Sequence, residues 1–402
     1  MKTLRVSWFV LSACFLLAFR VCSAAQSVTP PMGWNSWNYY GLIKKEPPSD
    51  AIIRAQAKAM VDSGMQAVGY AYVNIDDEWQ AASRDSKGNI RPNPKNFPYG
   101  MAALADYVHG LGLKIGIYSS PGKLTCSRHI GSYGHVQQDA NTFASWGMDY
   151  LKYDWCTATG DKITVFKQMY TALQNTGRPF VYSIVDYGEQ QVWQWAAPQS
   201  GATMWRTGPD VKDDFYTMAE TGFGNNGLQS FAGLNVGINN APGWNDADML
   251  QVGNGGMTVS EYRIQMSLWS IMASPLIAGN DLTKLLDQED GIEQQYLELL
   301  TNPYIVAVDQ DPAGMQGYRV WQQGPQEIWI KPMADGSTVV GVFNRVLGNA
   351  SVPLPFNLIG VSGTVDAFDL WSGKDLGNIQ TGYLVSVPGM DAVMLKLTRA
   401  KR

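Results

Sequence analysis

The chain has 402 residues, of which 45% are hydrophobic, 16% charged and 11% aromatic, enough apolar surface for one large domain and a smaller one. Low charge combined with 41 glycines excludes a disordered or fibrous chain and fits a compact fold with many tight turns. The formal net charge of −5 argues against nucleic acid or an anionic membrane surface as a partner.

Residues 1–25 have the pattern of a signal peptide: Lys2 and Arg5, an apolar run over 8–19, then Cys22-Ser23-Ala24-Ala25 before Gln26. The run is too short to span a membrane, and no later stretch approaches that length. Leu11-Ser12-Ala13-Cys14 resembles a lipoprotein cleavage box. Lipid anchoring at Cys14 is the weaker reading, because the apolar run continues past it through Phe15-Leu16-Leu17. Without Lys2, Arg5 and Arg20 the 30 basic residues become 27 against 35 acidic ones, a balance of −8. An exported chain is then left with Cys126 and Cys156, which suggests one disulfide. His109, His129 and His135 are too few and too scattered for a metal site, and no metal or organic cofactor is implied.

From residue 26 to 311 short apolar runs alternate with amphipathic ones. The expected strands cover 32–37, 71–75, 114–119, 148–154, 180–184, 204–206, a segment near 243–250, and 275–279. Helical periodicity falls between them, for example over 50–63, 101–111, 135–146, 162–175 and 259–272, with Asp50 as an N-cap. Eight β-then-α units predict an α/β fold, a (β/α)8 TIM barrel. From 312 to 402 the texture changes to short strand-like runs near 317–322, 327–332, 337–344, 363–368 and 392–397, with turn residues between them. This predicts a C-terminal antiparallel β-sandwich domain.

Function in such barrels gathers at the C-terminal ends of the strands. Those ends read Trp34 and Trp37; Asp76-Asp77-Glu78; Tyr118; Lys152-Tyr153-Asp154; Asp186; Arg206 followed by Asp210; Asp246 and Asp248. Carboxylates crowded at one mouth repel one another unless a ligand or counter-charges justify them. Acceptors for hydroxyls beside flat aromatics suit a polyol, and 14 tryptophans supply such surfaces. Asp76-Asp77-Glu78 lacks the spaced oxygens of a calcium loop. Hydrolysis of a glycosidic bond needs two carboxyl groups. Asp154 is the candidate nucleophile, with Lys152 two residues earlier on the same strand face to keep it charged. Asp210 is the candidate acid/base, expected to be buried so that it stays protonated at rest.

Met32-Gly33-Trp34-Asn35-Ser36-Trp37, Tyr72-Val73-Asn74-Ile75-Asp76-Asp77, Gly116-Ile117-Tyr118-Ser119, Leu151-Lys152-Tyr153-Asp154, Trp205-Arg206-Thr207 and Trp244-Asn245-Asp246-Ala247-Asp248-Met249-Leu250 resemble, in order, the signature stretches of glycoside hydrolase family 27. The resemblance implies a retaining α-galactosidase acting on a terminal α-galactosyl unit, with Asp154 as nucleophile and Asp210 as acid/base. It also implies Asp76 and Asp77 on the sugar O4 and O6, Trp37 as the stacking aromatic, and Tyr118, Lys152, Arg206 and Asp248 as further contacts. One family disulfide is implied as Cys126–Cys156. Another is missing, with Glu78 and Leu42 or a neighbour at its places.

Val185-Asp186-Tyr187 stands where eukaryotic α-galactosidases have Cys-Glu-Trp, and a carboxylate at Asp186 would favour a free 2-hydroxyl over an acetamide. The rivals are a β-L-arabinopyranosidase or α-N-acetylgalactosaminidase of the same family, and a non-catalytic galactose-binding protein. The last predicts loss of a catalytic carboxylate, yet both are present. Nothing in the sequence decides between a single subunit and a homo-oligomer.

Overall fold

The structure is a computed structural model and describes residues 29–287 and 291–400. The leader assigned to 1–25, with Cys14 and Cys22, lies outside the described residues. Eight short parallel strands come first: β1 (Met32–Asn35), β2 (Tyr72–Asn74), β3 (Lys114–Ser119), β4 (Tyr150–Asp154), β5 (Val181–Val185), β6 (Met204–Arg206), β7 (Trp244–Asp246) and β8 (Leu276–Ala278). They pair in the order β7-β6-β5-β4-β3-β2-β1-β8. The ring closes through Leu250, whose amide donates to the Ile277 carbonyl at 2.8 Å and whose carbonyl accepts from the Gly279 amide at 2.9 Å. The outer layer is α1 (Asp50–Asp62), α2 (Gly100–Gly110), α3 (Val136–Ser145), α4 (Lys162–Asn175), α5 (Ala196–Ser200), α6 (Phe215–Gly224), α7 (Val259–Met272), α8 (Ile292–Thr301) and α9 (Pro303–Asp309).

Strand period sets the interior. On β4, Tyr150, Lys152 and Asp154 alternate inward, so one strand contributes to the floor, the middle and the mouth of the barrel. Tyr72, Tyr150, Val181, Met204 and Trp244 form a closed apolar floor. Above it Tyr118 lies opposite Lys152, Lys152 opposite Ser183, and Arg206 opposite Asp246. Polarity therefore rises toward the C-terminal ends of the strands. Asp50 is not the cap of α1: Ser49 is, its hydroxyl accepting from the Ile52 amide, while Asp50 opens the first turn and pairs with Arg54 at 2.7 Å. The stretch after β1, Trp37–Lys44, coils into a wide π-type helix that carries Trp37 and Leu42 to the barrel mouth.

The C-terminal part is a six-stranded antiparallel sheet with a two-stranded sheet beside it. The larger contains β9 (Tyr318–Gln323), β10 (Gln326–Pro332), β11 (Thr338–Asn344), β13 (Val365–Asp369), β14 (Lys374–Ile379) and β16 (Asp391–Arg399); the smaller pairs β12 (Ala350–Pro353) with β15 (Leu384–Val387). Alternation again assigns the faces. Ile328, Ile330, Val340, Val342, Leu395 and Leu397 fill the core between the sheets. Trp329, Val339, Phe343 and Met394 join the barrel core instead. At Gly341 a Cβ would stand 2.4 Å from the Ile271 methyl, so α7 lies directly on the sheet and only glycine fits there. Three strand segments, 350–353, 374–379 and 384–387, escaped the sequence pattern because they are edge-like and largely exposed.

Lys331 on β10 crosses the interface fully buried, donating to the carbonyls of Val308 at 2.6 Å and Ser270 at 3.3 Å. A donor at the end of α9 complements the helix dipole; burial raises the neighbouring Asp309 carboxyl and lowers the Lys331 ammonium, while the charge of each favours that of the other. Lys331→Met leaves those carbonyls without their donor and is expected to destabilise the protein by about 1–3 kcal/mol. A thermal melt reads this as a clear drop in midpoint; an unchanged midpoint would show that the ammonium does not tie the two parts together.

Candidate active site

The strand ends converge on one blind cavity lined by Trp37, Asn38, Leu42, Asp76, Asp77, Tyr118, Cys126, Lys152, Asp154, Tyr187, Arg206, Asp210, Asp248 and Met249. Five carboxylates face two cations there. The cations divide the work. The Lys152 ammonium donates to Asp76 at 2.8 Å, and the Asn35 amide donates to the same oxygen at 2.7 Å. The Arg206 guanidinium, 3% exposed, bridges Asp248 at 2.9 Å and Asp210 at 3.1 Å. Asp77 takes the Glu78 amide at 2.8 Å on one oxygen and the Ser127 amide at 2.9 Å on the other. Asp248 also accepts from the Val211 amide at 2.7 Å, which pins the segment following Asp210. Asp76 Oδ2 and Asp248 Oδ2 each already accept two hydrogen bonds, which leaves the second oxygen of each to receive a ligand hydroxyl.

Asp154 is almost completely buried. The hydroxyls of Tyr118 and Tyr187 donate to its two oxygens at 3.0 and 2.9 Å. Burial pushes its carboxyl up to about 6, while the Lys152 charge and the two tyrosine hydrogen bonds pull the other way. Burial likewise raises Asp77, and raises Asp246 to about 6 despite Arg206. Trp37 is held by its amide on Asn35 Oδ1 at 2.8 Å, and a Cβ at Gly41 would stand 2.5 Å from its ring, so glycine lets the indole lie against the helix turn.

Nine of the ten sequence-selected site residues meet in this cavity; Asp186 does not. It is fully buried on the outer side of β5, where its carboxylate faces the Lys162 ammonium of α4. Its neighbour Tyr187 faces the cavity instead. Strand alternation accounts for this: Ser183 lies opposite Lys152 and Val185 opposite Asp154, so residue 187 continues the inward series and residue 186 points to the helix layer. Asp210 departs from expectation too. Its side chain is 57% exposed at the rim, not buried. Asn35, Asn38 and Met249 were absent from the sequence-selected set; Asn35 ends β1, where the strand-end rule would have placed it. Cys126 and Cys156 are joined as a disulfide beside Asp154, so the sulfur–carboxylate cluster they form with Asp154 offers a metal no thiolate. Among the described residues no helix is long and apolar enough to cross a membrane.

The ionised Asp154 carboxylate costs the fold something. Its folded value near 6 lies above the ordinary carboxylate range. Between about pH 4 and 6 the folded chain therefore holds more protons than the unfolded one, and this group's contribution to stability falls as pH rises. Asp154→Asn removes the charge. The variant is expected to melt above the parent at pH 7.5, with the gain gone by pH 4; a lower midpoint at pH 7.5 would contradict the burial penalty.

Comparison with known proteins gives the same frame. The family described as Alpha galactosidase A matches residues 29–311, and the Alpha galactosidase C-terminal beta sandwich domain matches 323–397. The alpha-galactosidase of Cyamopsis tetragonoloba is 43% identical over 85% of this chain and 80% of its own. Alpha-galactosidase A of Cellvibrio japonicus is 45% identical over 79% of this chain and 76% of its own. The crystal structure of alpha-galactosidase I from Mortierella vinacea superposes with a TM-score of 0.84 at 33% identity, covering 94% of this chain and 99% of the other. With the barrel, the sandwich and the strand-end carboxylates in place, this chain belongs to the alpha-galactosidase A family of glycoside hydrolases, glycoside hydrolase family 27.

Proposed function

We propose that the chain is a retaining, exo-acting α-galactosidase. The observation that carries this is Asp154, a buried carboxylate gripped by two phenols in the same cavity as Asp210. In the first step an Asp154 oxygen attacks the anomeric carbon while Asp210 gives its proton to the leaving oxygen, and the glycosidic bond breaks as a glycosyl ester forms. In the second, Asp210 takes a proton from water, the hydroxyl attacks the same carbon, and Asp154 leaves as carboxylate. Asp76 and Asp77 accept hydrogen bonds from the O4 and O6 hydroxyls, Trp37 carries the apolar ring face, and Lys152, Tyr118, Arg206 and Asp248 complete the contacts. Rim exposure lets Asp210 meet both aglycone and water. The packed barrel floor admits only a terminal sugar, which supports exo action.

The α-galactosidase relatives favour this activity over the two related specificities. Asp186 no longer argues for a free 2-hydroxyl, since it faces Lys162. The preference for galactose rests on Asp76, Asp77 and the relatives. The composition of residues 1–25 and the Cys126–Cys156 disulfide support export to a periplasmic or extracellular site. The chemistry is assigned to the barrel, 26–311, with 312–402 as the sandwich covering α7.

The test is purified protein on p-nitrophenyl α-D-galactoside, β-L-arabinopyranoside and N-acetyl-α-D-galactosaminide. The galactoside is expected to be preferred, with α-galactose released first by NMR. Because Asp154 must be ionised, kcat/KM should fall about tenfold per unit as pH drops below about 6. Preference for another glycoside, or β-galactose as first product, would refute the assignment.

A further inference from the structure

A buried ion pair lies just behind the cavity and takes no part in the chemistry above. Lys162, the first residue of α4, turns its ammonium inward to the fully buried carboxylate of Asp186 and to Glu189 at 2.8 Å. The same ammonium sits 5.4 Å from the centre of the Trp155 ring, and the Trp155 amide donates to the Val185 carbonyl at 3.1 Å. Lys162 thus touches both segments that flank the cavity wall, the one just after Asp154 and the one just after β5. Charged side chains are rarely buried unless something specific is gained, because desolvation opposes them.

The segment it ties down is conformationally unusual. Tyr187, Gln190 and Gln191 all lie in the left-handed region, with φ of 54°, 52° and 52°, a conformation that side chains other than glycine adopt only when the surroundings impose it. At Gly188 a Cβ would stand 2.4 Å from the Thr207 carbonyl, so the turn is pressed against the loop leading to Asp210. The Glu189 amide closes it on the Asp186 carbonyl at 2.8 Å. Both side chains that Lys162 binds, Asp186 and Glu189, belong to this turn, and Tyr187 lies between them.

We propose that Lys162 and Asp186 are positioning residues that hold the strained turn 186–189 in place, so that the Tyr187 hydroxyl stays on Asp154. This rests on Asp154 being the nucleophile. The groups facing Asp154 are Lys152 from β4, Tyr118 from β3, Asp76 after β2, Arg206 from β6 and Tyr187, with Asp210 beyond Tyr187. Of these, Tyr187 alone is carried by the turn that Lys162 anchors. Its hydrogen bond favours the charged carboxylate, so losing the bond moves ionisation of Asp154 to higher pH.

The experiment follows the acidic limb of kcat/KM on p-nitrophenyl α-D-galactoside with the full chain. Tyr187→Phe is expected to move that limb up by roughly one pH unit. Lys162→Met and Asp186→Asn should move it the same way, Lys162→Arg should restore most of the parental profile, and adding Lys162→Met to Tyr187→Phe should move it no further. If Lys162→Met does not yield folded protein, the near-isosteric Asp186→Asn replaces it in the double variant. A folded variant with the parental limb, or an undiminished further shift in the Tyr187→Phe background, overturns the proposal. An inactive parent chain would instead overturn the assignment of Asp154 on which the proposal rests.

Discussion

The charge of Lys152 is the constraint on which the site depends. Five carboxylates share one cavity, and burial drives three of them, Asp77, Asp154 and Asp248, toward protonation. Lys152 stands on the same strand face as Asp154, bonds Asp76 directly, and opposes the burial that raises Asp154. Its ammonium is itself buried and tolerated there only because Asp76 and Asp154 surround it. On the other side Arg206 opposes the burial that raises Asp248 and also pairs with Asp210 at the rim. Two deep cations, Lys152 on β4 reaching Asp76 after β2 and Arg206 on β6 reaching Asp248 after β7, keep a polar mouth above an apolar floor.

Backbone strain accompanies this arrangement. Glu78, Tyr187 and Asp248 are non-glycine residues with φ of 74°, 54° and 77°. Each is a site residue or the chain neighbour of one. Such conformations cost about 1–3 kcal/mol apiece and persist because hydrogen bonds over-determine them. The Asp248 amide, for example, donates to Asp246 at 2.9 Å while its carboxylate holds Val211 and Arg206. Local preference gives way at the site, and the barrel and its disulfide hold the result.

The barrel and most of the cavity were legible in the sequence because one rule, the period of two along a strand, links residues to faces. It placed Lys152 and Asp154 together on β4. Applied to β5 it selects Ser183, Val185 and Tyr187, and it would have turned Asp186 outward, toward Lys162. The family pattern drew attention to the acid, whereas the geometry favours the phenol beside it. Asp210 follows a loop after β6, where no period applies, and its exposure could not be read from residue types. Strand 374–379 was hidden for another reason: it is exposed and carries Lys374, Asp375, Gly377 and Asn378, none of them strand formers, so its partner β13 defines it.

Covalent capture of the glycosyl intermediate tests the central claim most directly. A galactosyl donor fluorinated next to the anomeric carbon slows breakdown of the ester more than its formation loses to an activated leaving group, so the intermediate accumulates. Peptide mapping by mass spectrometry should then find one fluorogalactosyl group per chain, esterified to Asp154. Label on Asp210, or none on a chain that still turns over the unmodified substrate, would contradict the account.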